Sequence, residues 1–391
     1  MNIKDLIVSF VDLTRHVIFA QRGKVLFYYP QHFNRSADGT NPFFDSMLES
    51  CERNGIAYKQ IEEPDYGTDK PRNPKAIRGD FFLLTVWAVR KVVKTLFPSQ
   101  DMVDNEVKVA KIVDVLFLGR LRYKKYITIS GSMFHLFPHI MDGSDVYDMQ
   151  HGILYKHHYT FFDEKTLRLR PKFYAPHLHW LFWGEGYKDC FEKGEERYLT
   201  NKCHVIGYPI PTRVIQRQVH DKTLLVSLQL TNDASHERLL TLKNMLVETI
   251  EGLSECGVRI LLKDHPRFNN CISLEDIYEQ FANVEHTDCS LDELYGRVYL
   301  HVTYFSTTTF EFANYGVPTA FMHDEMSGET LHRFFYEVYG YPLYEGMSVA
   351  DVVKRLEDSE NNASDSIAVK RWYDRFYSPF DEKEFIRIIN E

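Results

Sequence analysis

The stretch 299-YLHVTYFSTTTFEFANYGVPTAFM-322 contains a short apolar run, a run of hydroxyl side chains, and a second apolar run behind Gly316 and Pro318. We predict a strand over 299–303, a helix from about Thr308, and a second strand over 318–322. A strand, a helix and a strand in this order build a parallel sheet with a crossover helix. The stretch therefore predicts an α/β fold.

The same alternation extends to both sides of this stretch. A chain of 391 residues is too long for one ordinary core and suits two domains of roughly 150 to 200 residues. Trp180 and Trp183 lie in one of the apolar runs and are expected in the core. Further strands are predicted at 24–30, 126–130, 146–149, 179–183, 204–206, 224–228 and 259–262, and helices at 42–54, 234–255 and 273–281.

A segment with two prolines and a glycine, 207-GYPIP-211, marks the boundary between the domains. We expect an N-terminal Rossmann-like domain over 1–212 and a C-terminal Rossmann-like domain over 213–375. The last residues, 376–391, are expected to form a helix that packs back on the N-terminal domain. The polar tract 358–365 predicts a loop.

The composition excludes several classes of protein. With 44% hydrophobic and 26% charged residues the chain is globular, and its 6 cysteines are scattered without a pattern for zinc or for a disulfide framework. A net charge of −9 argues against a general nucleic-acid binder. The opening segment is interrupted by Asp5, Asp12 and Arg15, which argues against a signal peptide or a membrane span. We expect a cytoplasmic protein.

One predicted helix, 81-FFLLTVWAVRKVVKTLF-97, is apolar on most sides and carries Arg90, Lys91 and Lys94 on one flank. Apolar and basic groups together favour docking on anionic lipid at the inner face of the cytoplasmic membrane. The alternative is a helix that packs on its own sheet, and the sequence leaves both interpretations open.

Polar side chains follow three of the predicted strands, at the edge of a parallel sheet where ligands bind. After the strand at 146–149 come Gln150, His151 and Gly152, with Asp148 inside the strand. A histidine in this position titrates near neutrality, as a general base should. This junction is the candidate for acid–base chemistry.

The other two junctions suit phosphate. Lys263, His265 and Arg267 follow the strand at 259–262 and bring cationic groups together. The hydroxyls of Ser306, Thr307 and Thr308 precede a helix, whose free amides and dipole favour an anion. One turn into that helix, Glu311 is placed to accept hydrogen bonds from ribose hydroxyls.

The order of QHG at 150–152, K-x-H-P at 263–266 and E-x-A-x-x-G-x-P at 311–318 behind the hydroxyl run resembles the GT-B transferases of capsule, lipopolysaccharide and teichoic acid synthesis. That group includes CDP-glycerol glycerophosphotransferases, bacterial sialyl- and polysialyltransferases, and capsular Kdo transferases. The resemblance covers about 221–323 well, and the first half mainly at 147–152 and 179–183.

This resemblance implies two Rossmann-like domains whose parallel sheets face across a cleft. It implies that His265, Ser306 and Thr307 hold the donor phosphate and that His151 lies near the reacting carbon. Lys263 and Arg267 would add positive charge. It also implies an inverting transferase without a cofactor, which uses a CMP- or UDP-linked donor and an oligosaccharide or lipid-linked glycan acceptor.

The chain lacks several motifs that these or other glycosyltransferase families carry. It contains no D-x-D triplet, so we expect no catalytic metal. The acidic base motif of sialyltransferases is absent, which leaves Asp148 or His151 as the base, and Gln150 stands where many glycerophosphotransferases have tryptophan. His157 and His158 follow QHG closely and, with Gln150, are expected on the acceptor side rather than in a metal site.

Two alternatives remain. A UDP-sugar 2-epimerase has two similar domains and also carries a glutamate behind a helix start rich in small residues. A catalytically silent scaffold of polysaccharide assembly would retain the fold without turnover. The donor base, the transferred group, the acceptor, the linkage and the oligomeric state cannot be read from these residues.

Overall fold

The computed structural model describes residues 3–21, 23–97, 99, 101–154, 161–163, 165–166, 168–211, 221–266, 268, 271–322 and 333–391. Arg267, His157 and His158, which the sequence placed in the candidate site, lie outside the described residues. The chain divides into two compact units: unit 1 is Met1–Pro211 with Tyr377–Glu391, and unit 2 is Thr212–Phe376.

Unit 1 is built on a parallel sheet of seven strands in its described residues, in the order β3-β2-β1-β4-β5-β6-β7. Strand β1 lies in the middle and is buried along its whole length, as expected for a strand covered by helices on both faces. The order reverses between β1 and β4, and ligands bind at such switch points. The strands are β1 (Val25–Pro30), β2 (Tyr58–Glu63), β3 (Ile77–Arg78), β4 (Lys125–Ile129), β5 (Asp145–Met149), β6 (Leu178–Phe182) and β7 (Cys203–Val205).

The helices of unit 1 begin with clear local signals. The Asn41 side chain accepts a hydrogen bond from the Phe43 amide at 3.1 Å and caps α2, with Pro42 in its first turn. Helix α3 contacts both α1 and α4, so these three helices form one layer. The helices are α1 (Ile3–Leu13), α2 (Pro42–Arg53), α3 (Asp80–Leu96), α4 (Met102–Leu116), α5 (Glu185–Glu192) and α6 (Glu196–Leu199).

Unit 2 is built on a five-stranded parallel sheet in its described residues, in the order β10-β9-β8-β11-β12. Here the order reverses between β8 and β11. The strands are β8 (Thr223–Ser227), β9 (Arg259–Lys263), β10 (Val284–His286), β11 (Leu300–Thr303) and β12 (Thr319–Phe321). The helices are α7 (His236–Gly252), α8 (Glu275–Gln280), α9 (Leu291–Leu294), α10 (Thr308–Asn314), α11 (Arg333–Glu337), α12 (Val349–Leu356) and α13 (Ser359–Phe376).

The sheet of unit 2 buries apolar side chains on both faces. Successive residues of a strand point to opposite faces, so Val226 joins the large core under α7 and α12. Leu225 joins a smaller core with Leu294 and Phe312. Two-sided burial explains why these strands read as continuous apolar runs in the sequence.

The polar tract 358–365 is helical, so the prediction of a loop there was wrong. Asp358 accepts hydrogen bonds from the amides of Glu360 and Asn361, both at 2.9 Å, at the start of α13. Asp365 lies on the buried side of that helix and accepts hydrogen bonds from Arg355 at 2.8 Å. A polar run therefore forms a helix because capping and one buried ion pair stabilise it.

The last helix, α14 (Glu382–Asn390), belongs to unit 1. It packs against α2, where Arg53 and Glu382 form an ion pair at 2.9 Å. Gly207 has φ +79° and comes so close to the Pro379 carbonyl that a Cβ atom would lie 2.1 Å from its oxygen, so only glycine fits. Among the described helices, none combines the length and the apolar character needed to cross a bilayer.

Candidate functional site

Asp148 lies on β5 and is buried. Its carboxylate accepts hydrogen bonds from the Gly131 amide at 2.9 Å and the Thr128 hydroxyl at 3.1 Å. Burial raises the pKa of Asp148 to about 6, although both hydrogen bonds act to lower it. The carboxyl therefore holds the turn after β4, where Ser130 and Gly131 have positive φ angles. Its role as a catalytic base stays a prediction.

Gln150 is buried at the end of β5. Its side-chain oxygen accepts a hydrogen bond from the Trp183 amide at 3.0 Å, and its nitrogen donates to the Gly152 carbonyl at 2.8 Å. The amide thus ties the carboxyl ends of β5 and β6 together. The acceptor contact that the sequence predicted for Gln150 stays a prediction. Trp180 and Trp183 are buried, which confirms their prediction as core residues.

His151 is half-buried at the carboxyl edge of the sheet of unit 1. Its ring meets the ring of Phe33 edge-on, with centroids 5.4 Å apart. Phe33 belongs to the short turn Gln31–Phe33 that follows β1. The predicted histidine therefore lies beside the turn after β1, at the side of the sheet where the strand order reverses.

Sequence reasoning missed a second histidine at this edge. His32, in the same turn, lies with Nδ1 2.6 Å from the Asp65 carboxylate. Asp65 follows β2, a strand that the sequence analysis did not predict. No acidic partner was therefore predicted for His32. His32 itself comes directly after the predicted strand at 24–30 and satisfied the rule that selected His151.

A buried charge network stabilises the same edge. Arg72 bridges Glu62 at 2.7 Å and Asp80 at 2.6 Å, and both carboxylates are buried. Glu62 also accepts hydrogen bonds from the Asn73 amide at 2.8 Å and the Asn34 side chain at 2.6 Å. Buried carboxylates persist only when they are paired and hydrogen-bonded in this way. The network joins the end of β2 to the first turn of α3.

In unit 2 the carboxyl edge is organised by His301, which sequence reasoning also missed. It is fully buried on β11 and hydrogen-bonds Ser227 of β8 and Thr319 of β12, each at 2.9 Å. Its Nε2 also lies 3.3 Å from the Thr308 hydroxyl at the start of α10. Burial lowers the pKa of His301 to about 3, so the ring is neutral at neutral pH.

The predicted hydroxyls lie around this histidine. Ser306 is buried, and its hydroxyl accepts hydrogen bonds from the Thr308 amide at 3.3 Å and the Thr308 hydroxyl at 2.8 Å. Thr307 is exposed and directly precedes α10, at its N-cap position. Thr309 Oγ1 is buried and has no hydrogen-bond partner among the described residues. The start of α10 thus presents neutral donors rather than charges.

Glu311 lies in α10, and the Tyr295 hydroxyl donates a hydrogen bond to its carboxylate. Desolvation by the surrounding protein raises the pKa of Glu311, although the residue retains an exposed surface. The structure therefore gives Glu311 a protein partner. Its predicted contact with a ribose stays a prediction.

Lys263 and His265 follow at the end of β9. Lys263 donates a hydrogen bond to the Cys289 carbonyl at 2.7 Å, and His265 is half-buried in the turn behind it. An open groove of about 520 Å³ lies along one face of the sheet of unit 2, and Thr223 and Arg259, at the starts of β8 and β9, are part of its lining. Its lining also includes Leu261, His286, Cys289 and Arg297.

The other conspicuous histidines lie at the opposite end of the sheet of unit 1. His177 precedes β6 and has Nδ1 3.2 Å from the Asp145 carboxylate, which Lys125 also contacts at 2.8 Å. His179 lies 3.2 Å from His204. Within the described parts of the chain, no group of three His, Cys, Asp or Glu side chains is placed to hold a metal ion.

Comparison with solved structures identifies the architecture. The wall teichoic acid polymerase TagF superimposes with a TM-score of 0.52 at 14% sequence identity, over 99% of this chain and 91% of that one. A TagF variant soaked with CDPG superimposes with a TM-score of 0.50 at 14% identity, over 99% and 92%. The chain has the GT-B fold.

A UDP-GlcNAc 2-epimerase from Methanocaldococcus jannaschii superimposes with a TM-score of 0.49 at 12% identity, over 94% of this chain and 98% of that one. No protein-family model and no curated protein matches the sequence. In this GT-B chain, acid–base groups lie at the carboxyl edge of unit 1, and neutral hydrogen-bond donors lie at that of unit 2.

Proposed function

We propose that this protein is an inverting, metal-independent glycosyltransferase or polyol-phosphate transferase of bacterial surface polysaccharide synthesis. It uses a nucleotide-linked donor, CMP- or UDP-linked, and an oligosaccharide or lipid-linked glycan acceptor. The observation that carries this proposal is the neutral site at the carboxyl edge of unit 2, in a GT-B fold shared with a polymerase that was soaked with CDPG.

Unit 2 binds the donor in this proposal. A departing nucleotide phosphate develops negative charge, and preorganised donors in a dry site stabilise that charge strongly. The Ser306 and Thr307 hydroxyls and the start of α10 supply neutral donors. Lys263 at the end of β9, His265 in the turn behind it and Arg267, which lies outside the described residues, are the cationic groups that this proposal assigns to the phosphate. The proposal of metal independence rests on this donor set and on the absence of D-x-D in the sequence.

Unit 1 supplies the acid–base chemistry. His151 has an imidazole at the switch side of the sheet, where it is placed next to the reacting group in this proposal. Asp148 stabilises the structure around His151, because its hydrogen bonds fix the turn after β4. Gln150 fixes the strand end from which His151 projects.

A thermal-shift panel tests the donor site, because a ligand that binds only the native state raises its unfolding midpoint. CMP, CDP, UDP, GDP, dTDP and ADP are each added in excess EDTA. We expect one cytidine or uridine nucleotide to stabilise the protein, by about 2.7 kcal/mol at a concentration of about 100 Kd. Stabilisation by none of them would overturn the donor site.

Turnover separates the remaining alternatives. A transferase releases nucleotide from its donor faster when an acceptor is present. A 2-epimerase converts UDP-sugar without any acceptor. Binding of a nucleotide without any turnover would instead support a scaffold.

A lipid-linked acceptor requires a surface that meets the membrane, and the helical layer of α1, α3 and α4 fits this requirement. We define the apolar surface as the large exposed apolar side chains of these helices. Lys91 and Lys94 of α3 and Lys111 of α4 are exposed on the same helices, and the Lys91 ammonium lies 5.8 Å from the centre of the Trp87 ring. The apolar surface comprises Ile3, Ile7, Phe10, Val11, Trp87, Val92, Leu96, Met102, Val115 and Leu116.

The charges on these helices favour an anionic bilayer. Glu106 is paired with Arg90 and Asp114 with Arg122, at 2.7 and 2.6 Å, so the exposed lysines are not cancelled by these carboxylates. Apolar side chains that enter the headgroup region and cations that meet anionic lipid are the two contributions that hold a peripheral helix on a membrane. We propose peripheral contact with the inner face of the cytoplasmic membrane through this surface.

Vesicle co-sedimentation tests the contact. The parent protein is expected to bind vesicles that contain phosphatidylglycerol and to bind pure phosphatidylcholine weakly. Trp87→Ser combined with Leu96→Ser should abolish binding. The matched control is Leu240→Ser with Ile367→Ser, which removes exposed apolar side chains from α7 and α13 of unit 2 and should leave binding unchanged. An equal loss of vesicle binding in both double variants would refute the proposal that this surface contacts the membrane.

A further inference from the structure

His32 and Asp65 form a dyad at the carboxyl edge of unit 1 that the proposed roles of His151 and Asp148 leave unexplained. His32 follows β1 and Asp65 follows β2, so the two side chains come from neighbouring strand ends. His32 Nδ1 lies 2.6 Å from Asp65 Oδ2. Strand β1 also borders the point where the strand order of the sheet reverses.

Asp65 is held in place by the backbone. Its second oxygen accepts a hydrogen bond from the Gly67 amide at 3.0 Å, and this bond and the contact with His32 lower the pKa of the carboxyl. The Gln31 side chain accepts from the Asp65 amide at 3.3 Å and donates to the Lys70 carbonyl at 2.7 Å. The carboxylate therefore stays ionised and fixed in orientation.

A carboxylate on Nδ1 determines the state of the histidine. It accepts a hydrogen bond from Nδ1–H, so the neutral ring carries its lone pair on Nε2. It also stabilises the imidazolium that forms when Nε2 takes a proton, as the aspartate of a Ser-His-Asp triad does. The His32 side chain is 39% exposed, so solvent and substrate can reach it.

Phe33 connects this dyad to His151. The Phe33 ring lies 4.4 Å from the His32 ring and 5.4 Å from the His151 ring, between centroids. Arg35 donates a hydrogen bond to the His32 carbonyl at 3.3 Å and lies 5.1 Å above the Phe33 ring. One aromatic ring, Phe33, therefore contacts both histidines, and a group bound beside His151 would lie close to His32.

We propose that His32 is the general base that activates the acceptor hydroxyl and that Asp65 is its positioning residue. The inference rests on the proposed transferase function. His32 Nε2 takes the acceptor proton, and the acceptor oxygen forms a bond to the transferred carbon or phosphorus. The bond from that atom to the nucleotide phosphate oxygen breaks, and the nucleotide leaves with the electron pair. The proton then passes from His32 to water. His151 binds the transferred group in this scheme.

Kinetics of matched variants test the proposal. The donor is whichever of CDP-glycerol, CMP-linked sugars and UDP-linked sugars the parent consumes fastest. His32→Gln should lower kcat about 10²- to 10⁴-fold, the usual contribution of a general base, and leave nucleotide affinity unchanged. The matched control is His177→Gln, which removes a similarly exposed histidine from an aspartate at the opposite end of the same sheet and should leave kcat unchanged.

Variants of Asp65 separate positioning from mere structural support. Asp65→Asn removes the carboxylate that orients the His32 ring, so it should lower kcat and leave nucleotide affinity unchanged. Asp65→Glu keeps a carboxylate and should recover part of kcat. Imidazole NMR should show that the Nδ1 environment of His32 changes in Asp65→Asn, independently of activity.

The outcomes are distinct. If the parent transfers and His32→Gln keeps the parent kcat, His32 is not the base, and the transferase function is unaffected. An unchanged Nδ1 environment of His32 in Asp65→Asn would overturn the dyad. Failure of the parent to bind or consume any nucleotide-linked donor would overturn the transferase and the base together.

Discussion

The two carboxyl edges of this molecule are built from the same strand and helix pattern but from different chemistry. In unit 1 the edge carries ionisable side chains in contact with one another, such as Arg72 with Glu62 and Asp80, and His32 with Asp65. In unit 2 it carries hydroxyls around the neutral His301. In the proposed function, the edge of unit 1 supplies groups that exchange protons, and the edge of unit 2 supplies groups that donate hydrogen bonds to an anion.

The largest expected effect comes from breaking the buried charges of unit 1. Arg72→Met leaves two buried carboxylates without their cation, and loss of one partner of a buried ion pair costs about 3 to 5 kcal/mol. We expect unit 1 to lose stability, which faster hydrogen exchange of the backbone amides of β2 and α3 would show. The exchange rates of β11 in unit 2 should change little. Equal loss in both units would contradict the division of the chain.

A second variant checks the physical reason. Arg72→Met with Glu62→Gln and Asp80→Asn removes all three charges, so it should recover part of the lost stability. A triple variant less stable than Arg72→Met alone would show that the hydrogen bonds of the carboxylates, and not their charge, dominate.

Nucleotide affinity probes the other edge. His265→Ala should weaken binding of the nucleotide selected by the thermal-shift panel by about 1.5 to 3 kcal/mol, the worth of a hydrogen bond to a charged group. His151→Ala should leave binding unchanged and lower turnover. Isothermal titration calorimetry measures the first effect, and donor consumption measures the second. Weakened binding in His151→Ala alone would reverse the assignment of the two units.

Acid should affect the two units in opposite directions. Asp148 has a pKa of about 6 when folded and about 3.9 when unfolded. The folded state then holds the extra proton, so its contribution to stability grows as the pH falls from about 6 to 4. His301 has a pKa of about 3 when folded and about 6.5 when unfolded. Its contribution is lost as the pH falls below about 6.5.

At about pH 5 the cost from His301 is about 2 kcal/mol, on the basis of 1.36 kcal/mol per pH unit. Hydrogen exchange, corrected for its intrinsic pH dependence, measures this in β11 of the parent and of His301→Gln, and in β4 of Asp148→Asn. Each variant should flatten the pH dependence of its own unit. Loss of the dependence in the other unit would contradict these assignments.

The smallest effect is expected from an exposed ion pair. Arg259 and Glu285 lie 2.7 Å apart across β9 and β10, but both are about half-exposed, so water screens them. Arg259→Met should change the unfolding midpoint of unit 2 by less than the error of denaturant titration. A clear fall in the unfolding midpoint would mean that the ion pair stabilises the groove beside it.

The sequence predicted the strands that are apolar along their length. Residues 24–30, 224–228 and 259–262 were assigned as strands and lie in β1, β8 and β9, because burial on both faces leaves a continuous apolar signal. Strands β2 and β10, YKQIEE and VEH, carry polar residues at the sheet edge or in the charge network and were missed.

The candidate site was predictable only in part, for the same reason. His151, Ser306 and His265 follow strands with a clear signal, so the rule of strand ends found them. Glu62 belongs to the missed strand β2, and Asp65 follows that strand. His301 lies inside an apolar run, and the residues next to it in the sequence do not predict its hydrogen bonds to β8, β12 and α10.

The sequence by itself determined the α/β class, the alternation of strand and helix, and the hydroxyl and histidine residues at strand ends, since these follow from local periodicity and composition. Only the tertiary structure decided which ionisable groups meet. Pairing of His32 with Asp65, or of Arg72 with Glu62 and Asp80, depends on the order of strands in the sheet. That order is set by packing between residues far apart in the chain, which no local pattern records.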